Sequence, residues 1–311
     1  MKRNRIVRTS YKTQVLHYTV YSHDDLIKLL SSKKFRKKNF RKKTKIELDL
    51  SQATDITHIP KMESLWKNCC STLAAISLPN SVTHIDTAAF QGCKYLKELH
   101  LPASVTYIGE FAFSYCPSLK NISIPNSVTH IGKGAFGGNN LQEILVPNSV
   151  IEIGDGALST WGKETQFIVD ENNEHFSTDS TGKMLLSKDG SSLLSYPSAA
   201  GSVSLPDSIT HIKAYAFSKC TSLQEIFIPA SVTHIGEEAF SYCTALQNVS
   251  IPDSVIHIGK NAFAWCRSLK SVFFKNKKSQ WRIYVAQKIN VKNPSTAAWS
   301  LTNSCHEWNR C

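Results

Sequence analysis

The sequence predicts a solenoid of mainly β or α/β type: an array of coils about 23 residues long with a parallel concave sheet, a β-hairpin insertion and terminal caps. Two observations carry that prediction. Pro79, Pro102, Pro125, Pro147, Pro206, Pro229 and Pro252 each close an apolar-x-apolar tripeptide, at steps of 23, 23, 22, 59, 23 and 23. Within that frame residues 86–108, DTAAFQGCKYLKELHLPASVTYI, and 236–258, GEEAFSYCTALQNVSIPDSVIHI, agree in side-chain type column by column. A fixed period of this kind means stacked units that bury one continuous core between neighbours. With 311 residues, 41% hydrophobic and 19% charged, the chain can fill such a core, and no apolar run of about eighteen residues is present to span a bilayer.

The formal net charge of +12 suggests a polyanion binder only until it is located. Residues 1–45 hold fifteen bases and two acids, a net of +13, which leaves 21 bases and 22 acids, a net of −1, in the rest of the chain. The array is therefore near neutral, and the excess belongs to one end.

From the N-terminus, residues 1–45 are the basic segment and cap. Residues 11–44 read as a strand and a short helix, with Ser22 as N-cap, Asp25 at N3 and Leu26, Ile27, Leu29 and Leu30 as the apolar side chains. The densest charge is Lys33, Lys34, Arg36, Lys37, Lys38, Arg41, Lys42 and Lys43, interrupted by Phe35 and Phe40. Such a run could meet phosphates by charge and bases or lipids by its rings, and its plainer reading is a solvated leader. Arg8, Lys12, Gln14 and His17 break up any apolar core of a signal peptide, so cytoplasmic residence is the expectation.

Residues 46–160 form the first block of coils, 161–201 the hairpin insertion, 202–275 the second block and 276–311 the C-terminal cap and tail. In each coil the spacing L-x-x-L-x-L (Leu96, Leu99, Leu101; Leu119, Ile122, Ile124; Leu223, Ile226, Ile228; Leu246, Val249, Ile251) buries alternate side chains of a short strand. Proline then ends the strand. A Ser-Val-Thr-x-Ile-Gly segment brings the chain back, with Val82 and Ile85 or Val232 and Ile235 inward, and an Ala-Phe pair supplies a small residue and a ring to stack on the next ring. Cys70, Cys93, Cys116, Cys220, Cys243 and Cys266 stand nine residues before the proline or its equivalent, with Asn139 in nearly the same slot. Since no C-x-x-C pair occurs, these read as a ladder of small buried filler rather than a zinc or redox site; Cys69 and the tail pair Cys305 and Cys311 fall outside it. In the insertion, Lys188-Asp189-Gly190 between MLLS and SLLSY reads as a hairpin turn.

The pattern SVTHIGxxAFxxCxxLxxIxIP, recurring over 46–160 and 202–275, resembles the BspA-like, treponemal-type leucine-rich repeat. The stretch from Phe167 to Pro197 resembles the hairpin such arrays carry between repeats, and Ser271 to Trp281 resembles their closing segment. The resemblance implies a protein-binding solenoid, and bacterial or protist surface proteins implicated in attachment.

The outward residues of the strands form the concave face on which such arrays bind. They are Ser77, His100, Ser123, Leu145, Phe227, Ser250 and Phe273, flanked by Ala75, Glu98, Asn121, Glu143, Glu225, Asn248 and Ser271. Leu145, Phe227 and Phe273 are the large apolar members, exposed to a partner unless the insertion or cap covers them. A second column holds His58, His84, Tyr107, His130, Glu152, His211, His234 and His257. It reads either as a duplicated surface residue or as an imidazole ladder, in which His211, His234 and His257 are the uninterrupted trio for a transition metal. There is no G-x-S-x-G, phosphate-cradling glycine loop or H-E-x-x-H. The expectation is thus a noncatalytic protein without cofactor that binds an unknown protein ligand, the alternative being a nucleic acid or anionic membrane surface met through Lys33 to Lys43.

Overall fold

In a computed structural model of the chain, which describes residues 6–7, 14–31, 44–60, 70, 72–162, 164–275, 281–285 and 299–300, each repeated tripeptide except Ile122–Ile124 lies at the strand that its alternation requires. The chain divides into two units, Met1–Gly162 with Ile168–Glu174, and Lys163–Phe167 with His175–Cys311.

In the first unit, strands Gln14–Thr19, Thr44–Asp49, Leu73–Ser77 and Glu98–His100 run parallel in that order, and Ile6–Val7 pairs antiparallel with Gln14–Thr19. The coil holding Leu119, Ile122 and Ile124 contributes a single bridge, His100 to Ser123, although all three side chains are buried as a strand would bury them. Return strands His58–Ile59, His84–Ile85, Tyr107–Ile108, His130–Ile131 and Glu152–Ile153 make a second parallel sheet. The cap contains the expected helix, His23–Ser31, and Ser22 caps it: its Oγ accepts from the Asp25 amide at 3.1 Å. The Asp55 carboxylate of the first coil accepts from the His23 amide at 2.9 Å, so the helix N-terminus is anchored to the array.

The second unit repeats the plan with Ala200–Ser204, Ser222–Phe227, Asn248–Ile251 and Ser271–Lys275, all parallel. Strand Trp281–Val285 pairs antiparallel with Ser271–Lys275 and covers that edge, as the closing segment must. The inserted hairpin, Leu185–Ser187 against Ser192–Ser195, forms as read, with Phe176–Thr178 added on its far side. Hydroxyls of Ser187 and Ser191 and the Ser191 amide on the Asp189 carboxylate hold its pKa down to about 2 and fix the turn.

That hairpin also imitates a coil. Its strand Ser192–Ser195 pairs parallel with His211–Ile212, which places Leu193 in the column of inward isoleucines. Tyr196 occupies the phenylalanine column, 5.7 Å from the Phe217 ring, and its amide donates to Ala216 as the Phe217 amide donates to Ala239.

Coil-to-coil contacts recur as rows. The phenylalanine rings stack at 5.2 Å (Phe90 on Phe113, Phe113 on Phe136) in the first unit and at 4.8 and 5.1 Å (Phe217, Phe240, Phe263) in the second. Serine hydroxyls of the Ser-Val step donate to the preceding coil's valine or isoleucine carbonyl, as Ser104 to Val82 at 2.6 Å and Ser254 to Val232 at 2.7 Å. On the opposite side the coil is a string of tight turns in which alternate amides, those of Ala88, Phe90 and Gly92, donate to Glu110, Ala112 and Ser114 of the next coil. That alternation needs left-handed backbone twice per coil, and side-chain-bearing residues supply it: Phe111 at φ 54° and Tyr115 at 58°, Glu238 at 49° and Tyr242 at 59°. Each costs roughly 1–2 kcal/mol in isolation, so the stack must hold the turn in place.

The glycine after the inward isoleucine has another cause. A Cβ on Gly109, Gly132, Gly154, Gly236 or Gly259 would meet backbone of the preceding coil, for Gly132 the Glu110 nitrogen at 2.6 Å. Lys213 stands at this position in the first coil of the second block, where the hairpin lies beneath instead of a full coil. Gly132→Ala is expected to lower stability by about 1–3 kcal/mol, because backbone cannot yield as a side chain does. Urea denaturation followed by circular dichroism checks this; an unchanged midpoint would show that the coils can separate.

Candidate functional site

Four surfaces or columns were marked by sequence, and the cysteine column comes out differently from its reading as filler. Among the described cysteines, Cys70 and Cys93 form a disulfide, and Cys116, Cys220, Cys243 and Cys266 are free and buried. The free thiols act as donors. Cys116, Cys243 and Cys266 point S–H at the carbonyls of Phe90, Phe217 and Phe240, at 3.0 to 3.1 Å, and Cys220 at Tyr196. Asn139 does the same with its amide, donating to Phe113 at 2.9 Å while its oxygen accepts the Cys116 amide at 2.7 Å. The column selects a small donor, which the Cys-to-Asn exchange at 139 already hinted. Burial pushes the Cys116 thiol up to about 12, and Cys243 well above the ordinary range. Cys116 and Cys243 are therefore expected to escape iodoacetamide at pH 8 in the folded chain and to label fully in urea, as mapped by peptide mass spectrometry. Cys69, Cys305 and Cys311 lie outside the described residues.

On the concave face the register brings the expected residues into rows. Ser77 pairs with His100 and His100 with Ser123 in the first unit; Ser204, Phe227, Ser250 and Phe273 are in register in the second, with Ser202, Glu225, Asn248 and Ser271 beside them. Ser77, His100, Asn121, Ser123, Glu143, Glu225, Asn248 and Ser250 are all exposed. The apolar members are uncovered: Leu145 is 41% exposed and Phe227 is 52% exposed, with only serines on either side of Phe227 in its row. The Glu98, Ser271 and Phe273 strands are described but their side chains are not, and Lys33, Lys34, Arg36, Lys37, Lys38, Arg41, Lys42 and Lys43 lie outside the described residues.

The histidine column forms rows of rings. His58 stacks on His84 with centroids 4.5 Å apart, and His211 on His234 at 4.7 Å, whereas His257 tilts 35° away from His234 at 5.8 Å. Each Nδ1 of His58, His84, His130, His211 and His234 lies 2.8–3.0 Å from the hydroxyl of the threonine before it. His257 follows Ile256 and has no such hydroxyl. Glu152 places a carboxylate in its part of the row, 3.6 Å from His130 Nε2. The threonine was the signal that sequence reading missed: it precedes histidine in coil after coil. Among the described residues no group of three or more His, Cys, Asp or Glu could hold a metal ion, so the trio His211, His234 and His257 does not converge as a tight site must.

Residues 62–181 and 191–298 match the BspA type leucine-rich repeat region in six copies. The chain belongs to that family. Solved structures agree in fold. A leucine-rich repeat protein from Eubacterium ventriosum is 24% identical with a TM-score of 0.60, over 71% of this chain and 66% of that one, so the chain spans just under two thirds of its length. The pneumococcal vaccine antigen PcpA is 20% identical with a TM-score of 0.60, over 88% of this chain and 80% of that one. A leucine-rich cell surface protein from Faecalibacterium prausnitzii is 21% identical with a TM-score of 0.54, over 90% and 95%. No curated protein matches the sequence. Among the described residues of this BspA-type chain, no helix is long and apolar enough to cross a membrane.

The second-unit row is expected to lower the chain's stability in acid. Burial, then the charges of His211, His257 and Lys213, hold the His234 pKa below the ordinary imidazole value. The unfolded chain therefore takes up its proton first as pH falls, and stability present above about 6.5 declines below it. The melting temperature is expected to drop between pH 7 and pH 5, and His234→Gln to flatten that drop, as measured by thermal denaturation across the range.

Proposed function

We propose that the chain is a noncatalytic protein-interaction solenoid that binds a protein partner on its concave strands. The observation that supports this most directly is an uncovered apolar side chain in each unit, Leu145 in the first and Phe227 in the second, among outward residues that are mostly serine, asparagine and carboxylates. A large apolar anchor ringed by small polar groups has the composition of a binding hot spot: the anchor loses water on contact and the rim supplies hydrogen bonds. In the first unit Glu143, Asn121, His100, Ser77 and Ser123 would supply the polar groups around Leu145, with Glu98 in register with Ala75 beside them, and in the second Glu225, Asn248 and Ser250 would do so around Phe227, with Phe273 next in its row. Family membership supports the class of activity, and the word "cell surface" attached to the Faecalibacterium relative favours attachment as its setting.

The test is an affinity pull-down with the full-length chain beside Phe227→Ser, Leu145→Ser and a deletion of residues 1–45, each over a salt series. Binding through the concave face survives the deletion and salt, and Phe227→Ser weakens it by at least about tenfold. Partners that tolerate both substitutions and are lost with the deletion or with salt would overturn the reading in favour of charge-driven binding.

A further inference from the structure

From the turn side of the coils we infer that Tyr115 is a binding site for an organic cation, the side-chain ammonium of a lysine carried by a partner protein. The second unit already contains the arrangement within itself. There one column of the turns holds Lys219, Tyr242 and Trp265, 23 residues apart and all with left-handed backbone. The Lys219 Nζ stands over the Tyr242 ring, 5.1 Å from its centroid, and Trp265 stacks on Tyr242 at 5.7 Å and 14°. A cation within about 6 Å of a ring centroid is attracted by the negative face of the ring.

The same column in the first unit reads Gly92, Tyr115, Gly138 and Trp161. Tyr115 matches Tyr242 in backbone, at φ 58° against 59°, and its amide likewise donates to the following coil, to Gly137 as that of Tyr242 does to Ala264. A tryptophan again meets the tyrosine from the side of the following coils: Trp161 lies 5.4 Å away at 79°, across Gly138, where a Cβ would come within 3.1 Å of the indole. What differs is the position before. Gly92 has no side chain, and a Cβ there would meet nothing within 4 Å. Among the described residues no ammonium stands over Tyr115, which is 53% exposed against 37% for Tyr242. The turn asks only for left-handed backbone at this column, as glycine at 92 and 138 shows, so a solvent-facing tyrosine carries a steric cost that burial does not offset. The first unit thus holds the ring and its tryptophan brace with the cation's place open, and a lysine from outside the chain fills it as Lys219 does in the second. This surface lies on the turns rather than on the concave strands, and it does not depend on the reading given for them.

Chemical-shift titration of the full-length, isotope-labelled chain with Nα-acetyl-lysine methylamide tests this, beside the same probe acetylated at Nζ, which keeps the side chain and loses the charge. Circular dichroism of each variant confirms that the coils are intact. The inference expects saturable shifts of the Gly92 and Tyr115 amides with the charged probe, and an affinity at least about threefold lower for the neutral one. Tyr115→Leu and Gly92→Lys are each expected to abolish the response, the second because its own ammonium takes the place, and Lys219→Ala to bring a new response at the Tyr242 amide. It is overturned if the neutral probe binds as well as the charged one, if Tyr115→Leu retains the response at Gly92, or if Lys219→Ala gains none at Tyr242.

Discussion

Successive coils approach one another backbone to backbone, and the rest of the molecule answers to that spacing. Main-chain bonds tie each coil to both neighbours: the Thr106 and Gly109 amides reach back to Thr83 and Ile85, while the Phe111 amide reaches forward to Lys133. At that distance no Cβ fits at Gly109, Gly132 or Gly236, buried alanine stands beside the stacked phenylalanines, and any buried carbonyl left over must find a donor one coil away. Serine, threonine and cysteine columns supply those donors. Columns that look decorative in sequence are thereby the means by which polar main chain is satisfied inside the stack.

Sequence carried the architecture almost entirely, because a solenoid writes each physical role into a column and then repeats it. Ile46, Leu48 and Leu50 of the irregular first coil are buried as their alternation requires, and Ser22 caps the helix it precedes. What stayed hidden depends on direction rather than composition. A serine in a column does not say which carbonyl it reaches, and left-handed turns are concealed where Phe111 or Tyr242 occupies a position that glycine would have announced. The Cys70 to Cys93 bond was hidden for a related reason: six equivalent cysteines give no ground for setting one pair apart. For the outward face of the strands, sequence placed the residues and left open whether Leu145 and Phe227 were covered; cover is a property of segments distant in sequence, and both side chains are exposed.

Because repetition accounts for the rows, what is particular to this chain sits where a row is broken. Phe227 stands between Ser204 and Ser250, Glu152 replaces histidine beside His130, and Ile256 replaces threonine before His257. Each exception changes the local chemistry without disturbing the coil, since the altered residue faces outward or sits at a row's end. Packing constrains the inward columns and leaves the outward ones free to vary.

The side-chain donors have a further consequence. Where serine, threonine or cysteine donates between coils as Ser104, Thr106 and Cys116 do, it reaches toward the preceding coil, whereas the alternate turn amides reach toward the following one. The array is therefore polar in the manner of a growing filament, with unlike ends. Whatever underlies a block must present carbonyls in three columns, and the hairpin does so through Gly190, Ser191 and Tyr196. Whatever follows a block must present acceptors to amides on the opposite edge. A cap from one end could not serve at the other, and a coil could be added between existing coils far more readily than at either terminus.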